Sequence, residues 1–375
     1  MSYSGDLAFL RLLCSSGADI MVQMPLASEV LRRLIPAFSL SMIRVDAQCA
    51  PQEHYSEYFD EYSHQLFASA GHVFSARSDD PAAFSSLLAA PRAYGNLIDT
   101  SVDYQNGATY QHLFQRNGIH HCLDIALRDD NGPIGILGIF RERTAPHFSR
   151  KDVDTVGALY SHLVHACLAR PVPGDFDEVD SALLIATTDG RIQWASEQAC
   201  VWLEASSFGQ ERSLLRDHRV LPEACRRLCR DWTAQRRPLR SHASTAHRAP
   251  TLTLPVAGGR LRLRAYGLSS SSADQSTHVG IQISLEMPRE LRVLGALERS
   301  PLTPQQRRIA FALWRGHSPM ELRATLGIGL STLKAYQKDL YARLDVSGVT
   351  GLRELLTRQS DSVVLDLQRH QPRSN

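Results

Sequence analysis

Apolar and polar residues follow three rhythms along the 375-residue chain. Up to about residue 170 the pattern is mixed. Asp6 to Cys14 and Ser28 to Ile35 carry helical spacing, Pro36 stops the second, and FSLSMIRVD after it alternates as a strand does. Residues 51 to 118 keep no clean period, mixing Tyr55, Tyr58, Phe59, Tyr62 and Phe67 with polar and turn residues. From His121 the run HCLDIALRDDNGPIGILGIFRER predicts a strand, a turn at Asp129-Asp130-Asn131-Gly132 and a second strand. Ser149 then opens a helix, FSRKDVDTVGALYSHLVHACLA, with Asp152 in the capping-box position and apolar residues at 153, 156, 159, 163 and 167.

Pro171, Pro173 and Gly174 break the chain and mark a boundary. The second rhythm is strand-rich. SALLIATTDGRIQWASEQACVWLEAS predicts two strands around Asp189-Gly190 and a helix beginning near Ala195 or Ser196. TLTLPVAGGRLRLRAYGL predicts a hairpin turning at Gly258-Gly259, and HVGIQISLEM supplies a further strand beyond the serine run 269–272. From Pro288 to Arg299 a helix carries Leu291, Leu294 and Leu297 on one side, a stripe that suits either packing on the preceding domain or pairing across a dimer.

The third rhythm, from Leu302 to Val346, is helical throughout. Thr303 caps a helix with Pro304 at its first position that runs to Trp314 and ends at Gly316. Ser318 caps the next, Pro319 to Leu326, with Glu321 completing a capping box. Gly327 to Leu330 leaves room only for a sharp turn before a third helix, Leu330 to Leu344. In it Leu330, Leu333, Leu340 and Leu344 are expected to face the two earlier helices, with Lys334, Gln337, Lys338 and Tyr341 on other faces. At 1.5 Å per residue this helix is roughly 22 Å long. That suffices to cross a DNA major groove about 12 Å wide.

Charge sharpens this picture. Residues 1–204 carry 14 Lys+Arg against 25 Asp+Glu, a net of −11, whereas residues 300–359 carry nine against four, a net of +5. An acidic body with a basic end is expected where only that end meets a polyanion. The chain has 38 arginines and only three lysines, and two of those, Lys334 and Lys338, sit i,i+4 on the third helix. Residues 205–248 are also basic, ten arginines against four acids, which reads as a solvated helical face or an anion site.

Other chemistry is thin. Seven scattered cysteines without a C-x-x-C pair argue against disulfides and zinc, although Cys225 and Cys229 lie i,i+4 on a helix and form a metal or redox alternative. His120-His121-Cys122 are expected on alternate faces of one strand, and His162 and His165 share a helix side without a third ligand. No G-x-S-x-G, P-loop or H-E-x-x-H occurs, no run of about 18 apolar residues could span a membrane, and no signal peptide is evident. The expected location is the cytoplasm, with neither a metal nor an identifiable cofactor.

Residues 302–358 closely resemble the LuxR/FixJ-type helix-turn-helix. The resemblance rests on Leu-Thr-Pro, an arginine-rich first helix, Gly-x-Ser, Leu-Gly-Ile, Ser-Thr-Leu-Lys and the closing Leu-Tyr-x-Arg-Leu-x-Val. It implies a fourth helix over 348–358 that helps dimerisation, Lys334, Ala335 and Lys338 facing bases, and Thr332, Tyr336, Gln337 and Arg343 contacting or orienting the DNA backbone. The chain departs from the family at Gln305-Gln306, Gly329 and Asp345, where Arg-Glu, serine and glycine are usual. The hairpin and helix over 121–170 resemble the end of a GAF domain, and the segment after the Pro171–Gly174 break resembles a PAS domain.

The expected fold is therefore multidomain. It comprises an α+β GAF-like domain over 1–170, an α+β PAS-like domain over 178–287, a linker helix over 288–300, an all-α four-helix domain over 301–359 and a flexible tail over 360–375. The expected function is a sequence-specific transcriptional regulator, not an enzyme, whose N-terminal domains sense a small molecule or partner. Its expected partners are double-stranded DNA, a second copy of the chain, a small-molecule effector and RNA polymerase, with no membrane. The alternatives are an adaptor acting through protein contacts and an enzyme in the N-terminal half.

Overall fold

The computed structural model describes residues 3–57, 79–98, 102–169, 176–207, 210–235, 249–268 and 278–363, with single positions between 58 and 78. Tyr58, Phe59, Phe67, the break at 171–174, the serine run 269–272, the arginines from 236 to 248 and the tail beyond 363 lie outside the described residues.

Elements follow in chain order. Helices α1 (Tyr3–Cys14) and α2 (Ile20–Leu34) precede strands β1 (Ser39–Val45) and β2 (Pro51–Ser56). Then come α3 (Phe84–Ala89), α4 (Val102–Asn106), a π-turn (Tyr110–Phe114), β3 (His121–Asp129) and β4 (Gly132–Arg141). Helices α5 (Arg150–Gly157) and α6 (Tyr160–Leu168) lead to β5 (Phe176–Thr187), β6 (Ile192–Ala195), α7 (Glu197–Ala205), α8 (Gln210–His218) and α9 (Glu223–Gln235). Strands β7 (Thr251–Val256), β8 (Gly259–Gly267) and β9 (His278–Pro288) follow, and β9 runs directly into α10 (Arg289–Arg299). The chain closes with α11 (Pro304–Trp314), α12 (Pro319–Leu326), α13 (Leu330–Leu344) and α14 (Val349–Ser360).

Contacts group these elements into two compact units, one drawn from residues 1–36, 149–177 and 287–366 and the other from 37–148 and 178–286. This grouping cuts across the segments expected from the sequence.

The second unit holds both sheets. The first has the order β2-β1-β4-β3, and Tyr94 adds an antiparallel bridge to Ile125 on the free edge of β3. Two side chains of β3 hold that fragment in place. The Arg128 guanidinium donates to the carbonyls of Leu88, Ala90 and Arg92, and the buried Asp124 carboxylate accepts from Leu97 N and Asn96 Nδ2, both at 2.9 Å. Burial raises the Asp124 carboxyl above its ordinary value, and these donors oppose the rise. The second sheet has the order β6-β5-β9-β8-β7. Counting the Tyr94 fragment as a strand, both sheets share one winding, 2-1-5-4-3 in local numbering.

Alternation sets the inner face of the second sheet. Leu261, Leu263 and Ala265 of β8 and Val279, Ile281 and Ile283 of β9 are fully buried against Trp202, Leu203 and Leu228 of the intervening helices. On the opposite face Arg260 and Arg262 both hold Glu286, at 2.7 and 2.9 Å.

The first unit is helical. Asp19 caps α2 by accepting from Met21 N at 2.8 Å, so the helix begins at Ile20 and carries Pro25 inside it. Proline removes one backbone donor and usually marks a helix edge, which is why the sequence pattern suggested a start only at Ser28. The Ser149–Asp152 capping box is present. The single helix expected after it is two, however: at Gly157 the ladder tightens, with Leu159 N donating to Val156 O at 2.9 Å, before α6 resumes. Helix α1 packs on α2, α6, α10 and α11.

Helix α10, expected as a linker, is instead part of this unit's core. Leu291, Val293, Leu294 and Leu297 are fully buried, and the helix packs on α14, α11 and α1. Four of its five charged residues are engaged. Arg292, 5% exposed, spans Asp177 and Asp361, each at 3.1 Å, and Arg289 also holds Asp177. Glu290 meets Arg315 at 3.1 Å, and Glu298 meets Arg33 at 2.8 Å. Gly295 is required where the chain beyond α14 crosses, because a Cβ there would lie 2.9 Å from Val363 Cγ1. Val363 and Ser360 are each 1% exposed, so the chain remains packed past the expected start of the tail.

Candidate nucleic-acid interface

The surface bearing Lys334 and Lys338 is built by caps and two left-handed residues. Thr303 and Gln306 form a reciprocal capping box on α11, and Ser318 and Glu321 form another on α12. Gly327 ends α12 at φ +63°, a backbone state that costs glycine nothing. Three residues, Gly327 to Gly329, then reverse the chain into α13, whose Gly329 cap offers no side-chain bond. Leu322, Leu333 and Leu340 fill the joint at 2, 0 and 0% exposure. From α14 the Arg353 guanidinium donates to Leu313 O at 3.1 and 3.2 Å, which closes the exposed carbonyl end of α11.

Burial of Leu333 and Leu340 fixes the rotation of α13, and so its outward face. Ser331, Thr332, Lys334, Ala335 and Lys338 are exposed, and Tyr336 and Gln337 are half-buried at its flank. No acid pairs with Lys334 or Lys338 among the described residues. Arg343 differs, since Asp339 Oδ2 holds its Nε at 3.0 Å on the same helix. Thus the two lysines project as unpaired cations, while Arg343 reaches outward from an ion pair. Leu330 departs from expectation. It is 44% exposed at the first position of the helix, not turned inward, whereas Ile328 of the turn is half-buried.

One contact at this site was not foreseen. The Gln306 side chain, 1% exposed, accepts from Thr303 N at 2.9 Å through Oε1 and donates from Nε2 to Asp339 Oδ2 at 2.6 Å. Of the two capping-box acids and amides, only glutamine performs both tasks. A glutamate would set a second carboxylate against Asp339. Glutamine at 306 thereby has a physical reason, which the spacing of Thr303 and Gln306 alone could not reveal because Asp339 lies 33 residues away. Arg307, buried at 4% exposure, donates to Ser300 O at 3.0 Å, and desolvation pulls its guanidinium below the ordinary value. It serves packing, not an exposed surface.

The remaining candidates are less open. In the described part of the arginine-rich segment, 210–235, six arginines face four acids. Glu204 holds Arg212, and Glu223 holds both Arg226 and Arg230. Cys225 and Cys229 are buried thiols pushed up to about 12 and about 11 by desolvation, which suppresses the thiolate that metal binding or oxidation needs. His120 and His121 do not diverge as expected. Their rings meet edge-on at 4.7 Å because His120 precedes the strand, and His147 lies 4.2 Å from His121. Tyr110 shares a hydrogen bond with His120 Nδ1 at 2.8 Å. Among the described residues no group of three His, Cys, Asp or Glu could hold a metal ion, and no helix is long and apolar enough to cross a membrane.

No known family model matches the chain, and no curated protein matches it. Among solved structures it is similar to the sensor region of a sensor histidine kinase, at 10% identity and a TM-score of 0.16, over 44% of this chain and 63% of that one. It is also similar to an extracellular ligand binding receptor from Desulfohalobium retbaense DSM5692, at 11% identity and a TM-score of 0.15, over 76% of this chain and 39% of that one. The chain spans less than two thirds of either protein's length.

Proposed function

We propose that this protein is a sequence-specific DNA-binding transcriptional regulator. In this reading α12, the three-residue turn and α13 form a helix-turn-helix of the LuxR/FixJ type, and α13 lies in the major groove. Lys334, Ala335 and Lys338 face base edges, and Thr332, Tyr336, Gln337 and Arg343 contact or orient the phosphate backbone. The observation that carries it is the outward face of α13, where two unpaired lysines one turn apart stand opposite a fully buried leucine seam. The upstream part is read as a GAF-like and a PAS-like sensor for a small-molecule effector, supported by the common 2-1-5-4-3 winding of its two sheets. A homodimer, contact with RNA polymerase and a cytoplasmic setting belong to the same reading.

The test is selection of bound sites from a random double-stranded pool by the full-length chain, followed by gel shifts across salt. Lys334→Ala is expected to weaken the selected site by about 1–3 kcal/mol if it reads a base, and to weaken all sequences evenly, with a salt slope shallower by about 1, if it meets phosphate. The reading fails if no sequence is enriched, or if the variant lacking both Lys334 and Lys338 binds as well as the wild type.

A further inference from the structure

The outward face of α13 carries one large apolar side chain that the DNA reading has not used. Leu330, Lys334 and Lys338 are spaced i, i+4 and i+8, and each step of four residues drifts only about 40° around a helix, so the three form one stripe. Leu330 is 44% exposed at the first position of α13, one turn before Lys334. Gly329, the residue just before it, has no side chain. An isolated surface leucine needs no explanation. What distinguishes this one is its place at the head of a stripe whose other two members are unpaired cations.

We propose that Leu330 is a specificity-determining residue that packs on the C5-methyl group of a thymine. The inference rests on the DNA-binding reading above. In helix-turn-helix docking the first residues of the second helix meet base edges. The thymine methyl is the apolar group that the major-groove edge offers, and it is matched by an apolar side chain in the way that guanine O6 and N7 are matched by a cation. The rise between Leu330 and Lys334 is about 6 Å. A base step is about 3.4 Å. The thymine therefore falls within about two steps of the base that Lys334 addresses.

The experiment uses the full-length chain and the site it selects from the random pool. Each thymine of that site is replaced singly by uracil, which carries hydrogen for the methyl, and affinity is measured for the wild type, Leu330→Ala and Leu330→Met. One thymine is expected to matter. Its replacement should weaken the wild type about fourfold, the equivalent of one buried methyl-sized group, leave Leu330→Ala unchanged and still weaken Leu330→Met. Circular dichroism of both variants matching the wild type excludes misfolding as the cause. The proposal is overturned if the wild type is indifferent to every uracil, or if uracil weakens Leu330→Ala as much as the wild type. Those results leave DNA binding itself standing, whereas failure to enrich any sequence removes both.

Discussion

Replacing Gln306 by glutamate changes one atom pair and tests how α11 is tied to α13. Glutamate keeps the acceptor for Thr303 N but turns the Nε2 donor, 2.6 Å from Asp339 Oδ2, into an oxygen. Losing a hydrogen bond to a charged group costs about 1.5–3 kcal/mol. Two carboxylates about 4 Å apart at an effective dielectric near 20 add up to about 4 kcal/mol, lowered by Arg343 at 3.0 Å from the same oxygen. A shared proton offers a cheaper route. Holding it at pH 7 on a group whose unfolded value is about 4.3 costs roughly 3.7 kcal/mol, so Gln306→Glu should lose about 3–4 kcal/mol at neutral pH. The pair's folded value is raised, so its contribution is intact below about pH 4 and is lost as pH rises. Between pH 5 and 7 the gap to the wild type should widen by about 1.4 kcal/mol per unit. Urea unfolding followed by helical circular dichroism at pH 5, 6 and 7 measures this. Asp339→Asn should restore most of the loss by returning a donor, giving a coupling of about 2 kcal/mol in the double-mutant cycle. A pH-independent loss, or no loss at pH 7, refutes the reasoning.

Two further outcomes follow from backbone and titration. Asp345 closes α13 at φ +53° without glycine's freedom, so Asp345→Gly should stabilise the chain by about 0.5–1 kcal/mol in urea unfolding, net of the extra freedom glycine gives the unfolded chain; an unchanged or lower midpoint counts against it. His120 and His121 are both held below the ordinary imidazole value, mainly by burial and then by Arg143 and His147 for the first and by His147 and His120 for the second. They stay neutral in the fold, while the unfolded chain takes up protons near pH 6.5, so their contribution is full above that value and declines as pH falls. Melting of the wild type relative to His120→Gln/His121→Gln should therefore fall from pH 7.5 to 5.5, and a difference that stays flat over that range contradicts it.

Much of the helical end was legible because its signals are local. Thr303, Ser318 and Gly327 determine starts and stops from within a few residues, and the Leu333–Leu340 spacing reports the buried seam. What escaped reading depends on residues far apart in sequence. Leu330 has the apolar character of an inward residue, yet it stands 44% exposed at the start of α13. Pro25 hid the first turns of α2, since a proline that a helix tolerates looks the same in sequence as one that ends it. The apolar stripe of α10 was visible, but its partners on α14, α11 and α1 were not, because a stripe specifies that it will be covered without naming what covers it. Likewise, the charge excess at 205–248 says nothing of how Glu204 and Glu223 neutralise part of it.

Helix α10 is buried on every side from Leu291 to Leu297. Its leucines and Val293 are enclosed, Arg292 is tied at two points, Glu290 and Glu298 are tied to different neighbours, and β9 enters it without an intervening loop. A quarter-turn rotation would strand Arg292 among apolar groups, and a slide of one residue would misalign every pair together. The segment is therefore a fixed member of the helical unit and not a hinge within it. The natural cut separating that unit from the strands before it accordingly falls ahead of residue 287, since a cut at 300 would strip Leu352, Leu356 and Val363 of the helix that packs beside them.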